Sequence, residues 1–318
     1  MLARIAHELY WLGRNLVRAE FTARVVDGVF QVELQGAAAD ATPGVVLGWS
    51  ELLAMLGGTE AGAERVVRSE ALERLTIDGA APASMRAAIE RAREGARTVR
   101  DVISADMWEA INTSALTLRG DGDGSWMAPG GPYLSCQYVK ERVALIAGLA
   151  DRTMLRDEAK AFLDAGSYME SADMVLRILR VAFPPGDDDA ATGQALALLQ
   201  AVGGFQAYRR AVPAPPNARP VARFLLFERA YPDSVAACVD SLHDALEAAD
   251  ASPRNSEPVL RLSRMAADLD FQRRTLPDDA EIGQTCTTVA QELARVDHDL
   301  AERYFAGAAT ERRTTTVV

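Results

Sequence analysis

The chain is poor in the residues from which most catalytic and metal centres are built. It has three histidines and three cysteines in 318 residues, and the cysteines (Cys136, Cys238 and Cys286) form no CxxC pair. Isolated cysteines in odd number are typical of reduced, buried thiols in a cytoplasmic protein. HExxH, GxSxG and Walker motifs are absent too. The sequence therefore predicts a cytoplasmic protein without a metal site and without a recognisable hydrolase or nucleotide-binding signature.

Lysine is almost absent as well, and arginine carries the positive charge. Lys140 and Lys160 are two of the 34 basic residues, so 32 are arginines. The planar guanidinium of arginine binds carboxylates and phosphates in a bidentate fashion. The 45 acidic residues give a net charge of −11, which argues against non-specific nucleic-acid binding. No apolar run reaches 18 residues and the first 15 residues carry charges throughout, so we expect neither a membrane span nor a secretory signal.

Alternating strand patterns are missing, and helical periodicity dominates. We predict a single all-α domain over residues 1–318, a bundle of about 10 to 12 helices. The predicted helices lie near 3–32, 45–57, 60–72, 82–116 with a break at Gly95, 133–150, 157–183, 191–211, 220–231, 234–250, 256–270 and 278–306. Glycine and proline predict a loop at 120–132 and a turn at 184–186, and we expect residues 307–318 to be a disordered tail.

One helix-length motif occurs twice, at a constant offset of 153 residues. The matched pairs are Gly13 and Gly166, Ala19 and Ala172, Glu20 and Asp173, Arg24 and Arg177, and Phe30 and Phe183. The repeat predicts two helical halves, about 1–125 and 130–318, related by a pseudo-twofold axis. Because glycine costs a helix about 1 kcal/mol relative to alanine, the matched glycines indicate the close approach of another backbone.

In each copy the acid and the arginine are four residues apart and are neighbours on one helix face. We predict that the two repeated helices pack together, so that Glu20 and Arg24 meet Asp173 and Arg177 in one polar layer. Two interpretations stay open. The layer is either a buried ion-pair network that fixes helix register or a charged cleft that binds an anionic or zwitterionic substrate.

The two copies differ in charge beside the repeated pair. Arg14 and Arg18 stand on the neighbouring face of the first helix, whereas the second copy has Ser167 and Ser171 at these positions. Any site built from both copies is therefore asymmetric, and the first helix supplies most of its positive charge.

A third constellation of charged residues lies between positions 97 and 112, and we expect it to face the bundle interior. The candidate binding residues of all three segments are Tyr10, Arg14, Arg18, Arg24, Arg100, Asp101, Trp108, Asp173 and Arg177. The candidate catalytic carboxylates are Glu20, Glu109 and Glu170. A carboxylate of this kind serves as a general base when burial raises its pKa.

The chain resembles the bacterial alpha-E family, which is all-helical. The segments that carry the resemblance include Glu8-Leu-Tyr-Trp-Leu-Gly-Arg14, Val17-Arg-Ala-Glu20, Ala23-Arg24, Tyr231-Pro-Asp-Ser234 and Glu302-Arg-Tyr-Phe305, and they span nearly the whole chain. Two departures stand out. Val17 replaces the usual glutamate before Arg18, and Ser171 replaces the usual arginine after Glu170.

The resemblance implies a genomic context, because alpha-E proteins accompany a circularly permuted ATP-grasp protein and a transglutaminase-like peptidase. ATP and Mg²⁺ would then belong to the ATP-grasp partner, and no cofactor is expected on this chain itself. We predict a component of an ATP-dependent amide- or peptide-bond-forming system that binds an anionic, amino-acyl or peptide substrate or a partner in an Arg/Glu-lined cleft. Two alternatives stay open: an independent aminoacyl- or peptide-transfer enzyme with a buried carboxylate, and a non-catalytic helical scaffold.

Overall fold

The computed structural model describes residues 1–36, 48–56, 66–120, 131–182, 192–250, 252, 256–275 and 282–306. Over these residues the protein is all-α, as predicted, with thirteen helices and no strand. The helices are α1 (Ala3–Gly36), α2 (Trp49–Leu56), α3 (Arg68–Thr76), α4 (Met85–Thr98), α5 (Ala105–Gly120), α6 (Gly131–Thr153), α7 (Glu158–Ala182), α8 (Thr192–Ala201), α9 (Phe205–Ala211), α10 (Ala218–Phe227), α11 (Val235–Ala249), α12 (Glu257–Thr275) and α13 (Ile282–Tyr304).

Two predicted helical segments are divided differently in the structure. The predicted helix 191–211 is two helices, because the chain turns at Gly203, whose φ of +70° is a conformation that favours glycine. The predicted break at Gly95 is wrong. Gly95 lies inside α4, where a Cβ atom would come within 3.3 Å of the Glu8 carboxylate, so this glycine serves packing against α1. The chain leaves the helix only after Thr98 and re-enters it at Ala105.

Several predictions fall on residues outside the described ranges. These are residues 121–130 of the predicted loop, the predicted turn at 184–186, the predicted tail at 307–318 and the matched residue Phe183.

The three cysteines are all described, and all are buried as predicted. Burial raises the pKa of the Cys136 and Cys286 thiols to about 12.

The same packing order occurs in the two halves of the bundle. In the first half α1 packs on α4, α4 on α5, α5 on α6 and α6 on α1. In the second half α7 packs on α11, α11 on α12, α12 on α13 and α13 on α7. Both α4 and α11 begin after a serine, Ser84 or Ser234, whose Oγ accepts a hydrogen bond from the backbone N–H three residues on. The structure thus confirms the predicted pseudo-twofold repeat of a long helix.

The halves meet where α1 and α7 cross, at the two matched glycines. A Cβ atom on Gly13 would overlap the carbonyl oxygen of Leu163, and a Cβ atom on Gly166 would overlap the carbonyl oxygen of Tyr10. Leu163 follows Tyr10 by the repeat offset of 153 residues, so these two contacts are equivalent and obey a local twofold axis. The predicted close approach of the two backbones is confirmed, and it brings the side chains beside the glycines into contact.

Candidate functional site

A buried charge cluster lies beside the glycine crossing and consists of Tyr10, Arg14, Arg18, Glu170 and Asp297. Tyr10, Arg14 and Arg18 are four residues apart on α1 and share one face, which is turned towards α7 and α13. Glu170 of α7 is fully buried between the two arginines. Its Oε2 accepts from Arg14 Nε at 2.7 Å and from Arg18 Nη2 at 2.9 Å, and its Oε1 accepts from Arg18 Nε at 2.6 Å.

Asp297 of α13 completes the charge cluster from the other side of Arg14. Arg14 Nη1 donates to both carboxylate oxygens of Asp297 at 3.0 Å, and the Tyr10 hydroxyl donates to Oδ1 at 2.6 Å. The Arg14 guanidinium also lies over the Trp11 ring, with its carbon 4.9 Å from the ring centroid. Arg14 is therefore bound on three sides, and three helices that are far apart in sequence meet at this one side chain.

The electrostatics of the cluster fix Glu170 as an anion. Burial opposes its ionisation, but the positive charges of Arg14 and Arg18 outweigh burial and hold the pKa of Glu170 below its ordinary value. A general base needs a pKa near the working pH and access to a substrate proton. Glu170 has neither, since its oxygens are occupied by arginines, so the structure does not support the catalytic role considered for this residue.

The lowered pKa of Glu170 predicts a specific pH dependence of stability. A carboxyl whose pKa is lower in the folded than in the unfolded state stabilises the fold above its unfolded pKa, and this contribution is lost as the pH falls through the folded pKa. We expect the difference in unfolding free energy between the wild type and Glu170→Gln to be largest at neutral pH and to shrink below the unfolded glutamate pKa of 4.5. Urea unfolding at a series of pH values measures it, and a constant difference would contradict the ionised state.

The contact between Arg18 and Glu170 links the two departures from the family pattern. The first copy lacks the usual glutamate (Val17) and keeps Arg18, whereas the second copy keeps Glu170 and lacks the usual arginine (Ser171). The twofold at the crossing brings the two retained residues together across the helices, 2.6 Å apart. One acid–arginine pair is thus assembled from both halves of the chain.

A cleft of about 780 Å³ lies between α1 and α4, next to the charge cluster. We call it the α1–α4 cleft, and the residues that line it include His7, Glu8, Trp11, Asn15, Arg18, Glu90, Arg91, Glu94 and Arg119. Arg18 connects the two regions, since its guanidinium binds the buried Glu170 while its side chain remains 20% exposed on the cleft wall. Glu170 is therefore closed off from solvent, whereas the α1–α4 cleft beside it is open.

Arg91 of α4 is the cation of the α1–α4 cleft with the least charge compensation. Its hydrogen bonds go to neutral oxygens: Nε donates to Asn15 Oδ1 and Nη2 donates to the Pro82 carbonyl, both at 2.9 Å. Burial, and then the nearby charge of Arg18, lower the pKa of Arg91. Two arginines that repel each other in the wall of an open cleft form a suitable site for a carboxylate or a phosphate.

Two of the three glutamates that line the cleft, Glu90 and Glu94, are already neutralised by neighbouring arginines, and the third, Glu8, lies 3.5 Å from the His7 imidazole. Glu90 Oε1 accepts from Arg86 at 3.1 Å and from Arg119 at 2.9 Å, and these contacts outweigh burial and lower the pKa of Glu90. Glu94 binds Arg93 and Arg97. The positive charge of Arg91 is consequently not balanced by these carboxylates.

The repeated acid–arginine pairs do not meet in one layer, so this part of the sequence prediction is wrong. Arg24 Nη2 donates to Glu20 at 2.6 Å, and its Nη1 faces Asp233 at 3.3 Å and the Val202 carbonyl at 3.1 Å. Burial raises the pKa of Glu20 despite the partner arginine.

The second pair, Asp173 and Arg177, forms its own ion pair at 2.9 Å and lines a groove against α13. The physical reason for the separation is the twofold axis. It passes through the glycine crossing, and each pair lies about two to three turns beyond the crossing on its own helix, where the neighbouring elements differ.

The third predicted constellation does not face the interior. Arg100 and Asp101 are exposed in the turn between α4 and α5, and Glu109 is exposed on α5. Trp108 is half-buried beneath Arg100, whose guanidinium carbon is 4.7 Å from the ring centroid. The tryptophan is thus covered by an arginine from the preceding turn, which explains why a tryptophan stands in a charged segment.

Sequence reasoning missed two residues of the site, Asp297 and Arg91. Asp297 lies 127 positions after Glu170 on an amphipathic helix with other acids, and no local pattern distinguishes it from them. Arg91 stands in the arginine-rich segment 82–116. It precedes Gly95 by four residues, so both lie on the same face of α4, and Gly95 packs against Glu8 of α1. This shared face was the signal in the sequence that could have identified Arg91.

Comparisons with known proteins agree with the all-helical fold described above. No solved structure matches the chain. Uncharacterized proteins of Mycobacterium bovis and Mycobacterium tuberculosis are 23% and 22% identical to it over 294 residues, covering 87% of this chain and 33% of each relative. The chain thus spans about a third of the length of these curated relatives. A family model described as a predicted alpha-helical domain with a conserved ER motif matches residues 1–305, and the chain belongs to this family, Alpha-E.

Proposed function

We propose that this chain is the binding component of an ATP-dependent amide- or peptide-bond-forming system, and that the α1–α4 cleft receives an anionic group of the substrate. The observation that carries the proposal is the pair Arg18 and Arg91 in the wall of one open cleft, with neutral hydrogen-bond partners on Arg91. Carboxylates and phosphates are the groups that paired guanidiniums recognise best.

The partner implied by the alpha-E resemblance, a circularly permuted ATP-grasp protein, fits this charge. An ATP-grasp enzyme transfers the γ-phosphoryl group of ATP to a carboxylate, and an amine then displaces phosphate from the acyl-phosphate to give the amide. Substrate carboxylate, acyl-phosphate and released phosphate are all anions. A neighbouring cleft with uncompensated arginine charge would therefore hold an amino-acyl or peptide substrate for the partner, while ATP and Mg²⁺ bind to the partner.

The charge cluster has a different part in this proposal. Glu170 holds Arg14 and Arg18 in fixed rotamers, and a guanidinium already fixed in place loses less side-chain entropy when it binds an anion. Arg18 is the residue that joins the buried Glu170 to the open cleft. From the sequence, a network that fixes helix register and a cleft that binds substrate were alternatives. In this proposal the charge cluster fixes the register and the α1–α4 cleft binds the substrate.

The proposal predicts that Arg91→Gln weakens anion binding. A charge-assisted hydrogen bond contributes about 1.5–3 kcal/mol, so we expect about tenfold or greater loss of affinity. Titration of inorganic phosphate and of glutamate into the full chain measures the affinity directly. The same variant should lower the amide-ligase activity of the reconstituted system with its ATP-grasp protein.

The matched control is Arg264→Gln, which removes the same charge at a side chain of α12 that is 85% exposed and does not line the cleft. We expect it to keep the affinity of the wild type. Equal losses of affinity in both variants would show that the anion responds only to the overall charge of the protein, and this would contradict a binding site in the cleft. Unchanged ligase activity in the absence of this chain would contradict the association with the ATP-grasp protein.

A further inference from the structure

A second, smaller cavity of about 230 Å³ lies at the α1–α7 crossing, on the side where α6 packs on α1, and Met107 of α5 also lines it. Its walls are mostly apolar, with Val17 of α1, Leu163 of α7, and Val143 and Ile146 of α6. Glu20, Lys160 and Asp164 are among its polar lining residues. The space is smaller than the pockets of about 300–1,000 Å³ that hold drug-sized ligands, so it suits a short molecule.

The repeat explains why this cavity exists. The offset of 153 residues places Ser167 at the position of Arg14 and Val17 at the position of Glu170. On one side of the local twofold, the Arg14 guanidinium and the Glu170 carboxylate fill the space beside the crossing. On the other side, Ser167 and Val17 are too short to fill it, and both line the cavity instead. The cavity therefore corresponds, across the local twofold axis, to the space that the Arg14 guanidinium and the Glu170 carboxylate occupy on the other side of the crossing.

The charges around the cavity suit a cation. Lys160 Nζ is bound by Asp151 at 2.8 Å and by Asp164 at 2.6 Å, and Glu20 is bound by Arg24. Asp233 also contacts Arg24, so four carboxylates lie against these two cations and leave an excess of negative charge. Burial raises the pKa of both Glu20 and Asp164 in spite of their partners, which shows that their charges are incompletely solvated here. An additional cation would stabilise them.

We propose that this cavity binds a short alkyl chain that ends in a single amino or guanidino group. The alkyl part would contact the apolar walls formed by Val17, Val143 and Leu163, and the cationic end would lie near Glu20 and Asp164, as the Arg14 side chain lies against acids in the other half. This inference goes beyond the proposed function, because it concerns another cavity and a ligand of the opposite charge.

The experiment titrates n-butylamine into the full chain and follows binding by isothermal titration calorimetry and ligand-observed NMR. n-Butanol and butyrate, which have the same alkyl body, are the neutral and anionic comparisons. We expect saturable binding of the amine, with butanol at least about tenfold weaker and no binding of butyrate. Equal binding of butanol would show an apolar void without preference for a cation, and the proposal would be overturned. The absence of saturable amine binding would overturn it too.

Two variants locate the binding. Ser167→Arg restores the residue type of the other half and fills the cavity, so it should abolish amine binding. Glu20→Gln keeps the volume and the contact with Arg24 and removes one carboxylate, so it should weaken binding about tenfold; it serves as the test if Ser167→Arg does not fold. Ala248→Arg, at an exposed position of α11, is the control and should bind as the wild type does. Amine binding unchanged by Glu20→Gln would place the amine elsewhere and refute the site.

Discussion

We expect Glu170→Gln to lower the free energy of unfolding by about 3–5 kcal/mol, the cost of breaking a buried ion pair by removing one partner. The carboxylate is fully buried and accepts three hydrogen bonds from Arg14 and Arg18. The glutamine has the same shape but no charge, so Arg14, whose side chain is only 8% exposed, would lose half of its compensation. Chemical denaturation at neutral pH measures the change.

The control for this prediction is Glu70→Gln, which removes the same charge from an ion pair on the surface of α3. The side chain of Glu70 is 56% exposed and lies 3.5 Å from Arg74, one turn away. Exposed pairs of this kind contribute about 0.2–1 kcal/mol, so the control should differ little from the wild type. A small effect of Glu170→Gln, similar to that of the control, would show that the charge cluster does not stabilise the fold.

The second large effect is expected for Gly166→Ala. Its new methyl group would occupy the position of the Tyr10 carbonyl oxygen, and the obstacle is backbone that cannot rotate away. The α1 and α7 helices must then move apart along the whole crossing. Overpacking of a core costs about 1–3 kcal/mol and sometimes more, and we expect the upper end of this range or beyond, because the charge cluster is displaced at the same time. Thermal and urea unfolding measure the loss.

Gly148→Ala is the matched control, with the opposite expected sign. Gly148 lies within α6 and is exposed, and a Cβ atom there would meet nothing within 4 Å. Since alanine favours a helix over glycine by about 0.5–1 kcal/mol, this variant should be more stable than the wild type. If the two glycine variants shift stability in the same direction, the close approach at the crossing is contradicted.

The helical class, most helix positions and the glycine crossing could be predicted from the sequence because all three leave local signals. Periodicity locates a helix from its own residues, and the matched glycines were visible because the repeat keeps a constant offset. What could not be predicted was which residues meet across helices. The Glu20–Arg24 pair is an obvious local pair, yet its third partner, Asp233, comes from the turn before α11, and nothing near Glu20 in sequence indicates this.

The same reason explains why the surroundings of the most buried acid of the site could not be predicted. From the sequence, Glu170 is one carboxylate on a long helix. Its partners Arg14 and Arg18 are more than 150 positions away in sequence. Both guanidiniums reach Glu170 because α1 and α7 cross at this point. Surroundings set the pKa of a buried carboxyl, so the distinction between a base and a permanent anion requires the tertiary structure.

The charge cluster also has a consequence for the synthesis of the chain. Arg14 leaves the ribosome long before Glu170, and Asp297 follows only after a further 127 residues. Domains generally begin to fold from the N-terminus during translation, but α1 cannot bury its two arginines until α7 and α13 have been made. A nascent chain that ends before α7 would expose both arginines on its longest helix, and one that ends before α13 would lack the Asp297 carboxylate that binds Arg14. The native packing of α1 is therefore coupled to the presence of the last helix described.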